Sequence, residues 1–329
     1  MLGRIALIVS IFYVVLNIIL LRWATRKLPF TFFYDEEYFN TTLSKLLRPR
    51  YVGSPGHSEV HDFIEHELNH LGFSVIREDF QEGGNFTNLS GFMNRDADNL
   101  MMLTCHYDSK MPKDWNKKDF LSATEAVSCA ILLSLAKTMG MFFIKTFSEN
   151  IDMGLALIFF DGHYSLSADP LDEIRFIGAK EFMESEIIPL ENMVVAVTLS
   201  YIGAPNQTFA SYFEVTNDLH NLAADIELEL RKSGQLTNSH VLFKKKKQYD
   251  KDLLDDHSLL NELGVPVMHV APQEYPKVLH TAADNTENLH WPTIRNMIQI
   301  LVRFVHDFLE TWATNVNLKN VFVSDSLED

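Results

Sequence analysis

The sequence predicts an α/β domain with a mostly parallel central sheet flanked by helices, and three observations carry that prediction. Continuous apolar runs of strand length recur at residues 100–104, 155–160, 193–199 and 265–270. Such runs suit a sheet covered on both faces. Helical patterns at 126–137, 219–230 and 293–309 lie between and after them, and strands alternating with helices wind into a largely parallel sheet. Polar residues stand at the strand ends, where open α/β sheets bind their ligands.

Composition sets the class. Of 329 residues 47% are hydrophobic and 22% charged, the balance of a globular core rather than a disordered chain. With 28 Lys+Arg against 44 Asp+Glu the net charge is −16 and no basic stripe is present, which argues against a nucleic-acid binder. The single basic run, Lys244-Lys245-Lys246-Lys247, reads as a solvated loop.

Element by element, residues 5–21 (IALIVSIFYVVLNIILL) carry no charge over 17 positions, between Arg4 and Arg22, Arg26 and Lys27. As a helix this is about 25 Å long. The run exceeds a usual signal-peptide core and shows no small-residue cleavage site, so residues 1–27 are expected to be an uncleaved membrane anchor rather than a signal peptide. A linker, 28–44, leads to a domain over 45–314, and 315–329 form a short acidic tail. Four sequons, at Asn40, Asn85, Asn88 and Asn206, favour a lumenal body. The two cysteines, Cys105 and Cys129, permit one disulfide in that compartment; a pair of buried thiols is the alternative.

Within the domain, Gly53-Ser54-Pro55-Gly56 marks a turn. A helix follows over 59–71, with Val60, Phe63, Ile64, Leu68 and Leu71 on one face and Gly72 as its stop. His57, His61, His66 and His70 are expected on its solvated side. The strand ends then read Cys105-His106-Tyr107-Asp108, Asp161-Gly162-His163-Tyr164, Ser200-Tyr201-Ile202-Gly203-Ala204-Pro205 and a loop ending at His280. Ser122-Ala123-Thr124-Glu125 and Asp255-Asp256-His257 join them. His106 and His269 read as hydrogen-bonded core histidines, and Asp255 and Asp256 as caps for a helix starting near His257.

Across about residues 45–312 these segments resemble the glutaminyl-peptide cyclotransferase (glutaminyl cyclase) family, relatives in fold of the zinc-dependent aminopeptidases. The resemblance rests on Gly53-Ser54-Pro55-Gly56-His57, TCHYDSK at 104–110, FFDG at 159–162, IGAP at 202–205, Asp255-Asp256-His257, Gly264-Val265-Pro266-Val267, and Val278-Leu279-His280-Thr281 with Asp284-Asn285. It implies a Cys105–Cys129 disulfide. Its Golgi-anchored members fit residues 5–21, which gives a Golgi membrane protein with a lumenal domain as the expectation and a secreted one as the alternative.

The family reaction implied is cyclisation of N-terminal glutamine to pyroglutamate with loss of ammonia. One zinc polarises the γ-carbonyl and a glutamate shuttles the proton. By resemblance the ligand positions are Glu125, Tyr164 and His280, the proton-shuttle position is His163, and two acidic network positions are Ser200 and Asp255. A phenol is a poor zinc ligand at neutral pH. With His163 at the shuttle, Ser200 in place of an acid, and no tryptophan at Leu279 or in 165–172, the residues favour a catalytically impaired member that binds peptide or protein N-termini as a monomer. Two other readings use the same cleft: an active cyclase rebuilt on Glu125, His163 and His280, with Asp255 carrying the proton, and a two-metal aminopeptidase.

Overall fold

The computed structural model describes residues 32–112, 120–148, 152–164, 166, 176–237, 240–249 and 253–314. The anchor read at residues 5–21, the tail and nearly all of 165–172 lie outside the described residues. In chain order the elements are α1 (Glu36–Leu46), α2 (Pro55–His70), β1 (Ser74–Gln81), β2 (Asn85–Met93), β3 (Leu100–His106), α3 (Ala123–Ser148), β4 (Gly154–Phe160), α4 (Ile177–Glu184), β5 (Met193–Leu199), β6 (Phe209–Ser211), α5 (Asn217–Lys232), β7 (Phe243–Lys247), α6 (Ser258–Glu262), β8 (Val267–Val270) and α7 (Trp291–Thr314).

Six strands form the main sheet in the order β1-β2-β4-β3-β5-β8. β3, β4, β5 and β8 run parallel, while β1 pairs antiparallel with β2 and β2 with β4. The expected mostly parallel sheet is therefore a mixed one, with an antiparallel hairpin added at one edge. The parallel strands β3, β4, β5 and β8 are buried along their whole length, whereas β1 is half-exposed. Helix α4 covers one face through Ala179 and Phe182. Helix α7 turns Ile294, Met297, Ile298, Leu301, Phe304, Val305 and Phe308 inward, the three-and-four spacing of an amphipathic helix.

Two expectations change. The linker over 28–44 contains α1: Asp35 accepts from the Tyr38 amide at 2.9 Å as its N-cap, and Phe39, Leu43 and Leu46 are buried, each about 1.5–3 kcal/mol of transfer free energy. The lysine run is a strand rather than a loop, with four exposed lysines along β7 in a two-stranded sheet with β6; lysines on a short edge strand discourage pairing with another chain. Helix α3 is long and apolar enough to cross a membrane, but 72% of its apolar window is buried inside the domain, so it is a core helix.

Candidate active centre at the strand ends

The motifs meet behind the site before they form it. Ser54 caps α2 by accepting from the His57 amide at 3.2 Å, and Pro55 stands in the first turn. This places His57 Nε2 at 2.9 Å from the Asp161 carboxylate, which also accepts from the amides of Thr87 and Gly162, both at 2.8 Å. His57 and His61 are accordingly buried, not solvated as expected. Gly162 turns the chain with φ +64°, and its amide closes the carboxylate ring. Asn88 is also buried: its amide nitrogen donates to Glu78 at 2.7 Å and to the Gly178 carbonyl at 2.8 Å. The expected glycan there is corrected, because the nitrogen it would need is consumed in the core. Asn40, Asn85 and Asn206 are exposed.

A disulfide links Cys105 at the end of β3 to Cys129 in α3. The start of α3 is fixed by Asp284, whose carboxylate accepts from the Thr124 amide at 2.9 Å and hydroxyl at 2.8 Å. Arg50, 1% exposed, donates to the carbonyls of Tyr107, Leu121 and Ser122 and stands 3.7 Å from Glu125 Oε2. The sequence reading missed Arg50; a lone arginine in a short loop gives no sign that it will be buried. From the other side, Asp108 accepts from the amides of His163 and Tyr164, each at 3.2 Å, and so pins both residues past β4. Ser122, Phe176, Tyr201 and His280 all surround the centre with positive φ between 43° and 58°. Such backbone costs about 1–3 kcal/mol per residue and persists where the surroundings over-determine it.

Glu125, Tyr164 and His280 do come together. The Tyr164 hydroxyl donates to Glu125 Oε1 at 2.6 Å and has His280 Nε2 at 2.9 Å, with Glu125 and His280 3.6 Å apart. Two donors on one tetrahedral zinc sit roughly 3.3 Å apart, given metal–ligand distances of 2.0–2.2 Å. A separation of 2.6 Å is instead that of a strong O–H···O hydrogen bond. Burial and then the Glu125 charge push the Tyr164 phenol well above its usual range, so it keeps its proton. Burial would raise the Glu125 carboxyl, but His280, His106 and Arg50 together hold it down at about 2. As arranged, the three residues do not fit a zinc ion: the Tyr164 hydroxyl stands between carboxylate and imidazole, with its proton on the Glu125 side. Tyr164 is therefore more than packing.

His163 stands apart from that trio. Its Nδ1 lies 2.8 Å from Asp256 Oδ2 and 3.9 Å from Asp255, and its Nε2 lies 3.2 Å from the Tyr201 hydroxyl. The rebuilt set of Glu125, His163 and His280 is not assembled, since both imidazole nitrogens of His163 are engaged elsewhere. Burial opposes its charge, but Asp256 beside it raises its pKa to about 9. His106 stacks on His163 at 3.8 Å and shares Asp256 Oδ2 at 3.2 Å. Asp255 pairs with His269 at 3.1 Å, and Ser200 Oγ is 3.4 Å from the same nitrogen. Neither aspartate side chain caps α6, whose N-cap is His257; their carboxylates face imidazoles instead. Tyr201, which bridges His163 and Tyr164, was legible only as a strand-end residue.

Among the described residues, two groups of buried side chains in this region have the spacing to hold a metal ion: His106, His163, Asp255 and Asp256, and separately Asp255, His257 and His269. Neither includes the ligand positions that the resemblance assigns, Glu125, Tyr164 and His280, although they take in its shuttle and network positions, His163 and Asp255.

Residues 88–305 match peptidase family M28. The chain is 34% identical to a glutaminyl-peptide cyclotransferase of Gloydius blomhoffii over 298 residues, 81% of this chain and 79% of that one. It is likewise 34% identical to one of Bos taurus, over 83% of this chain and 82% of that one. The crystal structure of Macrostomum lignano glutaminyl cyclase superposes with a TM-score of 0.75 at 26% identity, covering 84% of this chain and 90% of that one.

Proposed function

The chain belongs to peptidase family M28, in its glutaminyl-peptide cyclotransferase branch, and from that premise we propose that it is a catalytically impaired member of the secretory pathway that binds peptide N-termini without cyclising them. The observation that carries the reading is the Tyr164 hydroxyl, hydrogen-bonded between Glu125 and His280. Zinc at those positions would supply the Lewis acid of the family reaction, and a protonated phenol leaves only two good donors for it. The shuttle position compounds the loss. His163 is held towards Asp256 and Tyr201, and a positioned acid or base is worth about 10²–10⁴ in rate.

What the centre keeps is an ionised carboxylate beside a partly exposed imidazole. Glu125 stays ionised, His280 above it has a side chain 28% exposed, and the full chain carries a net charge of −16. An α-ammonium is the group this attracts. Ser200, standing where a second metal would need an acid, disfavours the aminopeptidase reading. On this proposal the protein is a monomer, anchored in the Golgi membrane by residues 5–21 with its body in the lumen.

The test pairs binding with rescue. A peptide beginning with glutamine should bind the purified chain in calorimetry, and its N-acetylated form should not; equal binding of both would sink the ammonium reading. The double variant His163→Glu with Tyr164→Glu, supplied with zinc, should release ammonia from that peptide. Continued inactivity of the folded double variant would mean that the impairment extends beyond these two side chains.

A further inference from the structure

Behind the closed centre, Asp255, His257 and His269 form a pocket whose hydrogen bonds do not balance. All three are buried, at 1%, 1% and 3% exposure. His269 Nε2 faces Asp255 Oδ2 at 3.1 Å, which fixes one end of that ring, but its Nδ1 has no hydrogen-bond partner. Apart from a weak pull from the Leu253 carbonyl, neither ring nitrogen of His257 has one either. The two imidazole centroids are 4.3 Å apart, and one nitrogen from each histidine and a carboxylate oxygen of Asp255 all lie within 4.8 Å of one another. Buried polar atoms in native proteins are almost always satisfied, and a set left over on facing rings calls for an occupant.

We propose that Asp255, His257 and His269 bind one divalent transition-metal ion of the zinc class, at a site separate from the Glu125, Tyr164 and His280 positions. Two imidazoles and a carboxylate are an N,N,O set that zinc accepts. The neighbouring group of His106, His163 and Asp256 is a weaker host, because Asp256 Oδ2 already serves both imidazoles, at 3.2 and 2.8 Å. His257 precedes α6 and His269 lies in β8, so the ion would tie the α6 loop to the parallel strands.

The test uses the full chain purified after zinc-supplemented expression. Metal content is counted by elemental mass spectrometry, and the imidazoles around it by X-ray absorption at the zinc edge. The expected result is close to one zinc per chain with two imidazoles. Glu125→Gln should retain the metal and His269→Gln should lose at least tenfold in occupancy. Zinc with a single imidazole, lost in Glu125→Gln, would put the ion on the family's own positions and overturn the proposal. A folded chain without metal would overturn it too, assigning the pocket to a bound water. Should His269→Gln fail to fold, the imidazole count on the unaltered chain still decides. Absence of cyclase turnover bears on the preceding proposal and leaves this one standing.

Discussion

Around Tyr164 the contacts are short: one phenol proton serves Glu125 Oε1 at 2.6 Å, His280 completes the hydroxyl at 2.9 Å, and Glu125 Oε2, without a hydrogen bond, has the Arg50 guanidinium at 3.7 Å. Around Asp255 and Asp256, deeper at the ends of the parallel strands, ionised carboxylates face several imidazoles and ring nitrogens are left without partners. Glu125, Tyr164, His280, Asp255 and Asp256 all lie within residues 88–305, the part of the chain that matches family M28. The difference teaches that a phenol hydroxyl can tie a buried carboxylate to an imidazole by short hydrogen bonds, whereas carboxylates set among several imidazoles leave ring nitrogens over. In both regions buried carboxylates need cations beside them, here the Arg50 guanidinium and the His163 imidazolium.

The largest expected effect comes from removing one of those cations. Arg50→Met leaves Glu125 buried without its guanidinium and three carbonyls without their donor, and should destabilise the chain by about 3–5 kcal/mol in urea unfolding. A loss below ~1 kcal/mol would show that Glu125 is not carrying an uncompensated charge and would blur the contrast between the regions. Tyr164→Phe attacks the closed side. It strips the hydroxyl from Glu125 and His280 and should cost about 1–3 kcal/mol, measured the same way. A gain in stability would mean the phenol is strained there, not accommodated.

The charged side has its own signature. The folded pKa of His163 is raised from 6.5 to about 9, so the stability it contributes is fully present below 6.5 and is lost as pH rises through 9. Thermal melts should fall across that window for the unaltered chain and fall less for His163→Gln; parallel curves would assign the dependence to another group. The smallest effect tests burial alone. Asn88→Gln should leave glycosidase-sensitive mobility unchanged, because Asn88 is sealed in the core, whereas Asn40→Gln, Asn85→Gln and Asn206→Gln report on exposed sites. A shift with Asn88→Gln would show that its acceptor is glycosylated before the strand closes.

The fold was most legible where burial is two-sided. The run at 193–199 coincides with β5, because a strand covered on both faces has no reason to alternate. The β1–β2 hairpin escaped notice for the opposite reason: Arg77, Glu78 and Asp79 sit in β1, and β2 opens on two sequons, so neither looks apolar. Helix α1 was hidden by its aromatic composition, although Asp35 and the spacing of Phe39, Leu43 and Leu46 announce it. In the centre, motif order located Glu125, His163, Tyr164, Asp255 and His280. What it could not give was the direction each side chain takes. Only coordinates show His163 turned to Asp256 and Tyr201, and Arg50 beneath Glu125.

The most direct measurement is ammonia release from an N-terminal-glutamine peptide by the purified chain with zinc in excess, read against the enzyme-free rate. A centre closed by the Tyr164 hydroxyl predicts no release above that background at any zinc concentration. Zinc-dependent release that disappears in Glu125→Gln and His280→Gln would contradict it, because those two residues would then be holding a working metal.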